Sequence, residues 1–196
     1  MSNLRELTHD NHKRVEHTRF AHRLLKKQIT PEQYYTYLSN QLVAYYALEY
    51  AASTKGVFKD IEDVCRSSRI SKDMDELESV YGFDPVDTIP HVLPSTTKYI
   101  QYIQSISSDA DSLMAHVYVR HMGDLSGGQI IKRFIPGSGL HYCFDGDIDD
   151  LKNKIRAKLH DGMATEANVC FNMIFEFFEE LENSFADMGS TDNTAK

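Results

Sequence analysis

Long apolar runs are absent from this chain of 196 residues. The most apolar late stretch, Val169 to Phe178, is too short to span a bilayer, contains Glu176 and runs into Glu179 and Glu180. The first residues lack the apolar core of a secretion signal, because Arg5, Glu6, His9 and Asp10 interrupt it. A soluble, cytoplasmic protein with no membrane anchor is therefore expected. Cysteine is scarce: Cys65, Cys143 and Cys170 form no CxxC pair and are odd in number, which argues against a disulfide framework or a thiolate metal site and for a reducing compartment. Basic charge is not in excess either. With 21 Lys and Arg against 29 Asp and Glu, the formal net charge is −8, which argues against general nucleic-acid binding. What remains is an ordinary globular composition, 41% hydrophobic and 26% charged, sufficient to bury one core.

The periodicity predicts an all-α single domain over residues 1–187, followed by a flexible polar tail over residues 188–196. A first helix is expected from about Asn3 to Lys27, with Leu4, Leu7, Val15, Phe20, Leu24 and Leu25 as core positions. Thr30-Pro31-Glu32-Gln33 is a start signal: threonine as cap, proline in the first turn and glutamine at the reciprocal capping position. The helix it opens should reach about Thr54, with Tyr34, Tyr35, Tyr37, Tyr45, Tyr46 and Tyr50 in the core or at its rim. Shorter helices are predicted around Lys59 to Ser67 and Asp73 to Tyr81, before a breaker-rich segment with Gly82, Pro85, Pro90 and Pro94. Helices over Ser95 to Ser107 and Asp109 to Phe134 follow, the latter ended by Pro136-Gly137-Ser138-Gly139. His141 to Phe144 reads as a brief extended piece, and Ile148 to about Asp187 as helix with a break at Gly162.

Gly123-Asp124-Leu125-Ser126-Gly127-Gly128-Gln129 lies inside the predicted helix from Asp109. Each internal glycine costs a helix about 1 kcal/mol relative to alanine, so the run needs a reason beyond folding. One glycine could serve a close helix crossing. Three of them around an aspartate and a serine point instead to a bend where a flat ligand meets bare backbone.

Histidines narrow the kind of ligand. His9, His12 and Glu16 share one face of the first helix. Glu6-Leu7-Thr8-His9 has the Glu-x-x-His spacing of di-iron carboxylate bundles, but the second such pair they require is missing, and no HExxH suggests a zinc hydrolase. One neutral imidazole on one helix, opposite a glycine-bent helix, suits an axial ligand of heme iron better.

Several separated segments resemble the heme oxygenase family. His116-Val117-Tyr118-Val119-Arg120-His121-Met122-Gly123-Asp124-Leu125-Ser126-Gly127-Gly128-Gln129 is similar to its distal-helix signature. Leu4-Arg5-Glu6-Leu7-Thr8 with His12 and Glu16 resembles its proximal helix, Tyr45-Tyr46-Ala47-Leu48-Glu49 has the family's spacing from that histidine, and Phe177-Phe178-Glu179-Glu180-Leu181 resembles its closing helix. The likeness spans about residues 4 to 182.

The resemblance implies heme b as both substrate and cofactor, O2 as co-substrate, and products biliverdin IXα, carbon monoxide and ferrous iron. It places His12 on the iron with Glu16 beside it. Gly123, Gly127 and Gly128 would lie against the distal face, with Asp124 in a water network with Arg120, Tyr45 and Tyr99 that delivers protons. Arg5, Tyr118, Lys152 and Arg156 would face the propionates, with His9 a further candidate, and Phe171 and Phe178 would pack near the macrocycle. Two positions depart from the pattern: His121 stands where tyrosine is usual, and Ile174 where an asparagine is familiar. Nothing resembles a flavin, nicotinamide or iron–sulfur site, so electrons should come from ferredoxin or another external reductase, with a bilin reductase as a possible consumer of the product. Lys13, Arg14, Lys152, Lys154 and Lys158 offer a basic rim for an acidic donor. Two other readings stay open: a heme-binding or gas-sensing protein of the same fold without turnover, and a helical interaction module without cofactor.

Overall fold

Threonine side chains divide the N-terminal stretch that periodicity reads as one helix. In the computed structural model, which describes residues 2–83 and 92–190 with side chains up to residue 186, this stretch forms α1 (Leu4–Leu7), α2 (His9–Glu16) and α3 (Arg19–Leu25). Thr18 is extended and its hydroxyl accepts from the Ala21 amide, so it caps a new helix instead of continuing the old one. Thr8 turns its hydroxyl back onto the Leu4 carbonyl at 2.8 Å, which competes with the regular ladder between α1 and α2. Leu4, Phe20 and Leu24 are buried as expected, whereas Leu7 and Leu25 are 50% and 38% exposed.

The reciprocal cap forms as predicted. Thr30 accepts from the Gln33 amide, the Gln33 side chain accepts from the Thr30 amide, and α4 (Pro31–Thr54) follows. This helix buries Tyr34, Tyr37, Leu38, Gln41, Tyr45 and Leu48 around its circumference and packs against α5 (Ser67–Tyr81), α6 (Pro94–Ser105) and α7 (Ala110–Ser126). Tyr46 and Tyr50 instead stack on each other in solvent. The helix expected around Lys59 to Ser67 is replaced by turns and a 3-10 turn over Glu62–Val64, because Asp60 takes the left-handed conformation and interrupts the ladder. Helix α5 begins earlier than predicted, at Ser67, because the Glu49 carboxylate of α4 accepts the Arg66 and Ser67 amides. Gly82 ends it at φ 69, and Pro94 opens α6. Pro85 and Pro90 lie outside the described residues.

Helix α7 ends at Ser126 and α8 (Gly128–Ile131) follows across Gly127, shorter than the predicted run to Phe134. Next, α9 (Ile148–Ala157) and a 3-10 turn over Asp161–Met163 lead into α10 (Ala164–Ser190), with the expected break near Gly162. The last helix carries through Ser190, beyond the predicted start of the tail at residue 188, and the remaining tail residues are outside those described. Asp161 accepts from the Ser2 hydroxyl and the Asn3 amide, which ties the start of the chain to the start of α10. Helix α10 touches α2, α3, α6 and α7, so the predicted proximal and distal elements share one wall. No strand occurs among the described residues, and the fold is all-α.

A buried arginine fixes the connection between α8 and α9. Arg66 donates to the carbonyls of Asp63, Val64, His141 and Cys143 and lies 4.0 Å over the Phe144 ring. From α5, Asp73 accepts the Leu140 and His141 amides at 2.7 and 2.8 Å. These clamps wind residues Leu140–Tyr142 into a 3-10 turn, not the extended piece expected from the sequence.

Candidate active site

Asp124 is the centre of the site. Its carboxylate is buried near the end of α7, and both oxygens are engaged: Oδ2 accepts from the Tyr45 hydroxyl of α4 at 2.7 Å, and Oδ1 lies 3.3 Å from Nε2 of His141. Burial and the neighbouring Asp124 push the Tyr45 phenol well above its ordinary range, so it holds its proton as the donor. Gln129 donates to the main-chain carbonyls of Asp124 and Tyr142, which joins α8 to the clamped turn. Tyr45 bonds Asp124 directly, where the sequence suggests a network through water. His141 is a member that sequence reasoning missed, since only the folding of the clamped turn against α7 brings it to Asp124.

The glycines divide into two kinds. Gly123 is exposed and a Cβ added there meets nothing within 4 Å, while one at Gly127 meets only the Gly123 carbonyl at 3.6 Å. These two present bare backbone outward. Gly128 is buried, and a Cβ there would lie 2.8 Å from Cε1 of Tyr142 and closer still to Cδ1. The expectation that Gly128 faces a ligand is therefore corrected: it makes room for the Tyr142 ring. Gly123→Ala is expected to stabilise the ligand-free protein by about 1 kcal/mol through helix propensity. Gly128→Ala is expected to destabilise it by about 1–3 kcal/mol through overpacking. Thermal unfolding of the two variants in one buffer checks the opposite signs.

Arg120 of α7 borders a small chamber. Arg120 donates from Nη1 to Gln41 at 2.9 Å and stacks 4.0 Å over Tyr99, and its Nε is buried without a partner. The unpartnered Ser95 hydroxyl lies beside a small cavity that Arg120, Gln41, Tyr99 and Thr96 also line, with room for about one water. Arg120 makes no direct hydrogen bond or ion pair with Asp124. Gln41 and Ser95 were not foreseen. His121, the first departure, is buried against Glu49 at 3.3 Å and the Val117 carbonyl at 3.1 Å and ties α7 to α4. Ile174, the second, is a half-buried apolar residue against both core clusters.

On the proximal side His12 is exposed on α2, its ring edge-on to Phe171 of α10 at 5.6 Å, with Nε2 3.7 Å from Glu16. An accessible imidazole beside an aromatic ring, and glycine backbone left bare on another helix, are the kinds of group that a flat iron-bearing ring would need on its two faces. Phe178 is buried with Phe20 and Tyr37 at 4.8 and 6.5 Å, and these contacts account for it as core. Tyr118 is half-buried against the core, and Arg5 and His9 are exposed on α1 and α2. On α9, Arg156 bonds Asn153 at 2.9 Å and Lys152 sits 3.8 Å from Asp149. Among the described residues no group of three or more His, Cys, Asp or Glu could hold a metal ion.

One buried pair outside the pocket carries a pH signature. His116 of α7 lies 2.9 Å from Glu166 of α10 and 3.2 Å from the Tyr99 hydroxyl. Burial pulls its pKa down, but Cys170 and the Glu166 carboxylate outweigh this and push it up to about 9. His116 holds the Glu166 carboxyl below its ordinary value, against burial. The stability from His116 is therefore full below 6.5 and lost as pH rises through about 9, whereas that from Glu166 is present above 4.5 and lost on further acidification. Urea unfolding of the parent and of His116→Gln is expected to show their widest gap between pH 4.5 and 6.5, closing toward 9.

Known proteins resemble this chain in sequence and fold. A family model described as heme oxygenase matches residues 1–165. The heme oxygenase of Pyropia yezoensis is 31% identical over 92% of this chain and 85% of its own length, and that of Guillardia theta is 31% identical over 93% and 86%. Among solved structures, heme oxygenase-2 from Synechocystis in complex with heme and NO superposes with a TM-score of 0.79 at 27% identity, covering 92% of this chain and 84% of that one. The heme oxygenase of Leptospira interrogans gives 0.77 at 27% identity, over 90% and 97%. Among the described residues no helix is long and apolar enough to cross a membrane.

Proposed function

The chain belongs to the heme oxygenase family, and from that premise we propose that it opens heme to biliverdin, carbon monoxide and ferrous iron with O2 and electrons from outside. Bound heme supplies the iron that activates O2 and the ring that is cut. The observation that carries this reading is Asp124: a buried carboxylate held by Tyr45 and His141, next in the chain to Gly123 and three residues before Gly127, whose backbone is bare.

The chain's own residues then have separate tasks. His12 would hold the iron, with Glu16, 3.7 Å from its Nε2, placed to orient the imidazole. Gly123 and Gly127 would let bare backbone of the distal helix approach the ring, with no side chain in between. Asp124 anchors water that hands over protons, replenished through the chamber of Arg120, Gln41 and Tyr99. Arg5, Lys152, Arg156 and Tyr118 meet the propionates, Arg156 with a fork suited to a carboxylate. By fixing the propionates, Arg5, Lys152, Arg156 and Tyr118 would orient the ring and so determine which meso carbon is cut, with the IXα isomer as the expected product. Ferredoxin or a comparable acidic reductase docks on the rim of Lys13, Arg14, Lys152, Lys154 and Lys158.

A retained Asp124 and Tyr45 pair favours turnover over simple storage or gas sensing. Anaerobic loading with hemin should produce a Soret band. Oxygen with ferredoxin and its reductase should then replace that band by a bilin spectrum. A stable Soret band through that treatment would overturn the proposal.

A further inference from the structure

His141 is fully buried, yet its role is not spent on packing. Its main chain is pinned at both ends, the amide by Asp73 of α5 and the carbonyl by Arg66. Its ring stacks on Tyr142 at 3.9 Å and stands edge-on to Tyr45 at 6.1 Å. Nε2 faces Asp124 Oδ1, and Nδ1 is buried without a partner. With Asp124 ionised, Nε2 carries the proton and donates it. Such a donor on one oxygen and the Tyr45 hydroxyl on the other leave the carboxylate a single rotamer. The titratable groups facing the ring are Asp124 from α7, Tyr45 from α4 and Tyr142 of its own turn, with Asp73 and Arg66 bonded to its main chain.

We infer that His141 is a positioning residue for the reaction: it orients the Asp124 carboxylate from the loop behind the distal helix, and so fixes the water through which Asp124 delivers protons. This rests on the reading of Asp124 as the distal proton-delivering carboxylate. The clamp by Asp73 and Arg66 supports it, because a ring set on a pinned main chain can hold a partner in place. The fit of Gly128 against Tyr142 supports it too, since that ring backs the imidazole.

The test uses the ferric, hemin-loaded protein and reads the pH midpoint of its acid-to-alkaline optical transition in four forms: parent, Asp124→Asn, His141→Ala and His141→Gln. Glutamine keeps an N–H donor near the position of Nε2. Asp124→Asn is expected to move the midpoint, His141→Ala to move it by about 0.5 unit or more toward that of Asp124→Asn, a threefold change in proton concentration, and His141→Gln to stay near the parent. Added to Asp124→Asn, His141→Ala should move nothing further. If Asp124→Asn shifts the midpoint while His141→Ala titrates like the parent, or if Gln and Ala shift it equally, the inference is overturned and the reading of Asp124 stands. If Asp124→Asn itself titrates like the parent, both fall. Urea midpoints of the ligand-free variants identify any that fail to fold, and His141→Gln then carries the test alone: a midpoint at the Asp124→Asn value overturns the inference, and one near the parent upholds it.

Discussion

Asp124→Asn is expected to lower the rate of biliverdin formation by about two orders of magnitude, the scale of a positioned proton donor, while hemin still binds. The substitution keeps the shape of the side chain and removes its charge. It also turns an acceptor into an N–H that must face either the Tyr45 hydroxyl or His141 Nε2, both of which donate to the carboxylate now. Oxygen activated without ordered proton delivery should be spent on side reactions, so the Soret band should bleach without a matching bilin spectrum. Turnover at the parent rate would remove Asp124 from the mechanism. His12→Ala tests the opposite face and is distinguishable, because it should alter the spectrum of the bound heme before any oxygen is added.

Arg66→Met is expected to destabilise the protein by about 3 kcal/mol or more, because a buried acceptor left without its donor costs about 1–3 kcal/mol and several are left so at once. Four main-chain carbonyls lose their donor, and methionine offers none. Burial already lowers the pKa of Arg66, a sign of how little water reaches the guanidinium. Urea unfolding of the ligand-free protein reads the loss. Arg69→Met is the control: Arg69 pairs with Asp145, whose side chain is 78% exposed, so its midpoint should stay near the parent. Equal midpoints for the two variants would show that the buried guanidinium is not what holds the connection between α8 and α9.

Features written in a few neighbouring residues were legible in the sequence. The Thr30 capping box and the Gly82 stop are local chemistry, and each forms as read, whereas Pro94, counted among the breakers, is the first residue of α6. Asp124 and Tyr45 were reached through the glycine run and the family likeness. Gly123 and Gly127, four residues apart, share a helix face, whereas Gly128 is turned about 100° from Gly127, so its inward role follows from helix geometry once the glycines are weighed singly. The break at Thr18 was missed because apolar periodicity continues through it, and only the cap geometry stops the helix. His141 was beyond any local pattern. Its place depends on Asp73, 68 residues earlier, and on Arg66, 75 residues earlier.

The intimate seat of the Tyr142 ring on the Gly128 backbone makes those two positions one unit of variation. A methyl group on the helix there is tolerable only alongside a slimmer partner at 142, and a slimmer partner leaves the imidazole next door without its backing. Drift at either place is thus coupled to the acid chemistry a few ångströms away, though neither side chain reaches the reacting atoms.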